Sequence, residues 1–142
     1  MRVKVFIDTN VLMDVLLGDR ASSEASGQIF NAVREGRLEG LLTTQTLIDA
    51  AYVLEKSRLP FQEQFLKLGN WFNIENLDWF DIRQVCLQGR GDFEDDAQYA
   101  RAEDACCDAI ITNDRQFKSR YEARNPHIGF YTPEEFILKI TS

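Results

Sequence analysis

The chain has 142 residues, with 16 Lys and Arg against 23 Asp and Glu, for a net charge of −7. Hydrophobic residues make up 44% and charged residues 27%, an ordinary globular composition that excludes a disordered or fibrous chain. The length fits one domain spanning residues 1–142. No apolar run approaches the ~20 residues of a membrane span, and the N-terminal apolar stretch is too short for a signal peptide. The expectation is a cytoplasmic protein without a membrane segment.

Cys86, Cys106 and Cys107 lack CxxC spacing, which argues against a disulfide framework or a zinc ribbon. His127 is the single histidine, so a multi-His zinc site or a Ser-His-Asp triad has little to build on. Any enzymatic chemistry falls to carboxylates.

Val3 to Ile7 is a β-branched and aromatic run that reads as a buried first strand ending at Asp8-Thr9-Asn10. Val11, Leu12, Val15 and Leu16 follow at helical spacing, and Gly18 ends that helix. Ser22 or Ser23 caps a second helix that carries Ile29, Phe30 and Val33 and stops at Gly36. Leu41 to Thr43 is a short strand. Thr44 to Lys56 reads as a helix with Leu47, Ile48, Ala51 and Leu54 inward. After Pro60, a helix over 61–72 carries Phe65, Leu68 and Phe72. Ile74 to Leu77 reads as a strand, Ile82 to Leu87 as a helix, and Gly89-Arg90-Gly91 as a loop. Phe93 to Cys106 reads as a helix, with the two cysteines packed at its end. Ala109 to Thr112 and Gly129 to Tyr131 complete the strands. Thr132-Pro133-Glu134-Glu135 opens the last helix with a capping box. Core packing is the expected use of Trp71, Phe72, Trp79 and Phe80, with a dimer surface as the alternative.

Strands alternating with helices imply an α/β fold with a mostly parallel sheet. In such sheets a ligand site lies outside the carboxyl ends of the strands. Asp8 follows the first strand and Asp114 lies just past Thr112, so the two converge if those strands are neighbours. Asp49 lies within a helix among partly apolar neighbours, and Asp95 and Asp96 lie in the first turn of theirs. The window from Asp92 to Asp108 holds seven acids and one base. It is followed by Arg115, Lys118, Arg120 and Arg124, a charge order that suits a metal site beside a phosphate-binding rim. Converging carboxylates need a cation, and an all-oxygen set favours Mg²⁺ or Mn²⁺. Metal-dependent phosphodiester hydrolysis, a calcium site and a phosphatase all remain open on these residues alone.

Phe6-Ile7-Asp8-Thr9-Asn10-Val11-Leu12-Met13-Asp14 resembles the opening of a PIN domain. Asp92-Phe93-Glu94-Asp95, with Gln98-Tyr99-Ala100, resembles that family's third acidic motif. Cys107 to Asp114, with Phe117, is similar to its closing strand and fourth acid. The resemblance runs through the whole chain. It implies a three-layer PIN-like α/β fold with helices on both faces of the sheet. The implied catalytic and metal-holding acids are Asp8, Asp49, Asp95 and Asp114, around one or two Mg²⁺ or Mn²⁺ ions. Asn10 and Thr112 would support them, with Asp96 beside Asp95 in the doublet. Asp49 stands where the family usually has Glu; Glu55 is the alternative, two turns late.

The implied activity is RNA cleavage by a VapC-like toxin, dimeric and held inactive by an antitoxin. RNA would lie along Arg115, Lys118 and Arg120. The alternative is a degenerate site that binds RNA or a protein without cutting. A third reading, an aspartyl phosphatase, would need a second Asp at the position of Asn10. Asp14 and Asp104 read as surface or supporting residues, Asp108 as a turn or cap, and His127 as a loop residue.

Overall fold

The computed structural model describes residues 2–88 and 91–142. Gly89 and Arg90, in the expected loop, lie outside the described residues. The chain alternates β1 (Lys4–Ile7), α1 (Thr9–Leu17), α2 (Ser23–Arg34), β2 (Glu39–Thr43), α3 (Thr44–Lys56), α4 (Gln62–Trp71) and β3 (Asn73–Glu75). Then come α5 (Trp79–Gln88), α6 (Phe93–Asp104), β4 (Ala109–Ile111), α7 (Arg115–Tyr121), β5 (Gly129–Tyr131) and α8 (Pro133–Thr141).

The strands form one sheet in the order β3-β2-β1-β4-β5, and every pairing is parallel. The order reverses direction at β1, which lies between β2 and β4. The crevice at the carboxyl ends of β1 and β4 is therefore the switch point where α/β sheets place ligands. In register, Val5 stands opposite Gly40 on one side and Ala109 on the other, and Ile7 opposite Ile111.

Alternation along the strands feeds two cores. Val5, Ile7, Leu42 and Ile111 pack with Leu12, Ile29, Ala50, Leu54, Leu68 and Phe136 on one face. Phe6, Leu41 and Ile110 pack with Tyr99, Ala102, Phe117 and Tyr121 on the other. Because both faces of β1 are covered, its sequence is continuously apolar rather than alternating. The result is the three-layer arrangement expected.

Local signals account for most boundaries. Gly18 closes α1 at φ 77°, a left-handed position that favours glycine. Thr43 caps α3 by accepting from Thr46 N at 3.1 Å. Thr132 and Glu135 form the full capping box of α8. Gly40 is required for a different reason: a Cβ there would sit 2.5 Å from the ring of Phe72, itself buried and packed on Phe30. Gly40→Ala is expected to cost about 1–3 kcal/mol, read as a lower urea midpoint, because neither ring has room to retreat.

Several expectations need correction. Helix α7 was not foreseen: with seven mostly polar residues, its only apolar signal is the Phe117–Tyr121 pair one turn apart. Ile48 faces outward at 62% exposure, and Thr46 and Ala50 take the inward positions of α3. Of the four aromatics assigned to the core, only Phe72 is buried; Trp71, Trp79 and Phe80 are exposed. Cys107 packs into the core, but Cys106 is exposed at φ 57°, where the chain turns out of α6. Asp108 does act structurally: its carboxylate accepts from Lys4 N at 2.8 Å and fixes the start of β1. Among the described residues, no helix is long and apolar enough to cross a membrane.

Candidate active site

Asp8 is the first residue past β1 and the N-cap of α1. One carboxylate oxygen accepts from Thr9 N at 2.8 Å. The other accepts from the Thr112 hydroxyl at 2.7 Å and from Asn10 Nδ2 at 3.1 Å. Thr112 reaches it because β4 is hydrogen-bonded beside β1, with Asp8 N donating to the Ile111 carbonyl at 3.1 Å. Asn10 and Thr112 thus hold the orientation of Asp8. Asn10 spends its amide on that carboxylate, so it is no substitute for the general acid of an aspartyl phosphatase.

Asp114 caps α7, with Oδ1 accepting from Gln116 N at 2.9 Å and Phe117 N at 3.3 Å. Its own N–H donates to the Thr112 hydroxyl at 3.0 Å. Capping and facing the crevice are therefore compatible uses of one carboxylate. Asp92 caps α6 and accepts from Asp95 N at 3.0 Å, which sets the first turn of that helix against the crevice.

Asp8, Asp49, Asp95 and Asp114 line one open cavity of about 480 Å³. Asp92 and Glu94 line it too, as do the cations Arg20 and Arg120. Asp49 takes a hydrogen bond from Gln45 Nε2 at 2.8 Å. Glu55, the alternative second acid, is exposed and is not part of this wall. Of the acidic doublet, only Asp95 turns to the cavity. Asp96 is corrected: it is buried on the far side of α6, bonded to the Tyr121 hydroxyl, and it borders a separate cavity between α5 and α6. Successive helix residues point about 100° apart, so the two carboxylates cannot share one destination.

The crowding shows in the proton affinities. Burial raises the Asp8 carboxyl above its ordinary value, and neighbouring Asp114 adds to this against the three hydrogen bonds. Asp95 is pushed up to about 6 by burial, then by Asp92, Asp8 and Asp114, against the pull of Arg120. Glu94 is pushed up to about 7 by burial, then by a hydrogen bond and charge repulsion with Asp49. Such shifts mark carboxylates gathered without enough positive charge. Glu94 was missed as a site residue; its place in the first turn of an acidic helix gave it an ordinary helix-dipole explanation.

Of the two readings of Asp14, the surface one does not hold and the supporting one fits: it is 1% exposed, on the inner side of α1. It accepts from Ser26 Oγ at 2.8 Å and Asn113 Nδ2 at 2.9 Å, and pairs with Arg20 Nε at 3.2 Å. Of the expected basic rim, Arg115 is exposed, Lys118 pairs with Glu135 at 3.8 Å, and Arg120 reaches Asp95 at 3.3 Å. His127 is an exposed loop residue.

The donor chemistry suits a hard divalent ion. Oxygens dominate the cavity wall, and Gln98 adds a buried Oε1 that has no hydrogen-bond partner. Among the described residues, no three acidic, His or Cys side chains stand close enough, as placed, to ligate one ion together. Mg²⁺ needs no such cage, since it keeps several waters and binds through one or two carboxylates plus substrate oxygens.

A parallel five-stranded sheet with acids gathered at its switch point is the arrangement the opening motifs implied. Residues 4–116 match the PIN domain family, and the chain belongs to that family. It is 28% identical over 141 residues to ribonuclease VapC1 of Aquifex aeolicus, covering 94% of this chain and 92% of that protein. Its fold is similar to that of VapC20 of Mycobacterium tuberculosis, a sarcin-ricin loop cleaving toxin. That match has a TM-score of 0.67 at 12% identity and covers 81% of this chain and 93% of that one. A toxin–antitoxin complex from Klebsiella pneumoniae gives a TM-score of 0.61 at 23% identity, covering 91% and 97%.

Proposed function

We propose that the chain is a divalent-metal-dependent endoribonuclease, with Asp8, Asp49, Asp95 and Asp114 holding Mg²⁺ or Mn²⁺. The observation that carries this reading is the gathering of six carboxylates and two arginines around one cavity at the β1–β4 switch point. An ion bound there would supply Lewis acidity toward a phosphoryl oxygen and lower the pKa of water. Asp8 is the fixed ligand of the set, because Thr9, Asn10 and Thr112 leave it one orientation. Asp114 is fixed by its helix cap, and Asp95 by the capped first turn of α6. Water attacks the phosphorus, the P–O3′ bond breaks, and the 3′ oxygen leaves with a proton.

The test is a pool of single-stranded and structured RNA incubated with Mn²⁺, Mg²⁺ or EDTA. Cleavage is expected only with metal, leaving 5′-phosphate ends. A 2′,3′-cyclic phosphate product would contradict direct attack by water.

The same reading makes the chain the toxin of a toxin–antitoxin pair and a homodimer. The Klebsiella pneumoniae structure supports the first as a relative in fold. The exposed Trp79, Phe80 and Leu87 on α5 offer a surface for the second. RNA contacts at Arg115, Lys118 and Arg120 belong to this reading, with Arg120 the one that reaches the cavity.

A second reading, a site that binds RNA or protein without cutting, draws on the spacing of the acids, of which no three converge as placed among the described residues. Saturable Mn²⁺ binding without turnover on any RNA would favour it.

A further inference from the structure

Arg20 lines the acidic cavity, yet its acidic partner lies in the core. Its Nε stands 3.2 Å from Asp14 Oδ1, whose side chain is 2% exposed, while its own side chain is 40% exposed. Its backbone is fixed as well: Arg20 N donates to Ser23 Oγ at 3.0 Å, and the Arg20 carbonyl accepts from Ser23 N at 3.0 Å. Ser23 Oγ in turn donates to the Asp14 carbonyl at 2.7 Å. The contact with Asp14 is made through Nε, and among the described residues neither terminal nitrogen donates a hydrogen bond, while Arg20 itself lines the cavity.

The anchor also runs to Asp8. Asn113 donates its amide to Asp14 at 2.9 Å, and its N–H donates to Asn10 Oδ1 at 3.0 Å. Asn10 donates to Asp8 at 3.1 Å. Arg20 and Asp8 are thus ends of one chain of polar contacts, an ion pair followed by three hydrogen bonds, that links the turn before α2, α1 and the end of β4. The other cavity cation, Arg120, is tied instead to Asp95, one of the acids it would share with a metal.

We infer that Arg20 grips a phosphodiester of the RNA substrate with its two free amino groups, and that buried Asp14 is its positioning residue. The inference deepens the ribonuclease reading and rests on it for the identity of the ligand. A guanidinium held at one nitrogen presents a planar fork matched to two phosphate oxygens, with little further ordering to lose. An unanchored Lys would offer only a point charge.

The competing role is purely structural, the neutralisation of Asp14. The two roles separate in a double variant. Arg20→Gln alone leaves a buried unpaired carboxylate and lowers Tm. Adding Asp14→Asn removes that charge and keeps an acceptor for Ser26 and Asn113, so Tm recovers. Binding of a fluorescein-labelled single-stranded RNA is measured by anisotropy in EDTA over a salt series, where the ribonuclease reading predicts no cleavage. Arg20→Gln and Arg20→Gln/Asp14→Asn are both expected to bind about 10- to 100-fold more weakly than the unsubstituted chain. The log–log salt slope should fall by about 0.7, the value of one single-strand phosphate contact. Arg20→Lys should keep that slope with weaker binding. Recovery of full RNA affinity and slope in the double variant would overturn the inference and leave Arg20 a structural neutraliser. If the unsubstituted chain cuts no RNA with Mn²⁺ while these losses appear, the ribonuclease reading fails and the phosphate grip stands.

Discussion

Asp8→Asn is expected to fold normally and to lose RNA cleavage by about 100- to 1000-fold or more. The two halves of that expectation have the same cause. Burial and the Asp114 charge raise the Asp8 carboxyl above its ordinary value, so its ionised form is unfavourable in the folded chain without metal. An amide relieves that repulsion: its oxygen still accepts from Thr9 N, and its NH2 can donate to the Thr112 hydroxyl. Melting temperature in EDTA should therefore hold or rise. The lost charge is one that Asn10 and Thr112 hold in place, and on the proposed function it would bind the ion. Cleavage at the unsubstituted rate, with a matched melting curve, would remove Asp8 from the site.

The second large effect is a reversal of pH dependence by metal. Asp95 and Glu94 titrate near about 6 and about 7, against ordinary values of 3.8 and 4.5. A carboxyl with a folded pKa above its unfolded one holds its proton more tightly when folded. Its contribution to stability is full below the unfolded pKa and is lost as pH rises through the folded one. The metal-free chain should accordingly melt higher near about pH 5 than near about pH 8. Glu35 and Glu135 are shifted downward, so they change stability only below that window.

On the proposed function, Mn²⁺ would compete with the same protons. At about 100 times its Kd it should stabilise the chain by about 2.7 kcal/mol near about pH 8, or about 5–10 °C, and by far less near about pH 5. The measurement is a melting series with Mn²⁺ and with EDTA at both pH values. An equal Mn²⁺ increment at both would contradict carboxylate ligation.

Most of the fold was legible because its signals are local. The strand at Lys4–Ile7 announces itself as a β-branched run covered on both faces, and α8 by a Thr-Pro-Glu-Glu start that the structure uses in full. What failed was tertiary. Ile48 falls within the apolar period of α3, but the helix turns Thr46 and Ala50 inward because Thr46 is bonded to Thr43 at the cap. Trp79 and Phe80 are core residues by composition and exposed residues by placement.

The site divides in the same way. Asp8 and Asp114 could be placed from strand ends alone, once β1 and β4 proved to be neighbours. Helix geometry allows only one of Asp95 and Asp96 to face the site, and the choice of Asp95 rested on the register of the resembling motif. Arg20 and Glu94 were not legible as site residues, and Asp14 only as one of two alternatives, surface or supporting. Their roles depend on which face of α1 packs against α2, and on how closely the first turn of α6 approaches α3. Nothing in a single sequence fixes either distance.

The central claim is that these carboxylates together form a divalent-metal site, and a Mn²⁺ titration followed by the electron paramagnetic resonance signal of the free ion tests it most directly. The unsubstituted chain and Asp8→Asn would be titrated side by side near about pH 7.5, above the folded pKa values of Asp95 and Glu94. Saturable binding to the unsubstituted chain, weakened about 10-fold or more in Asp8→Asn, is the predicted result. Absence of saturable binding, or equal binding by both chains, would contradict the account.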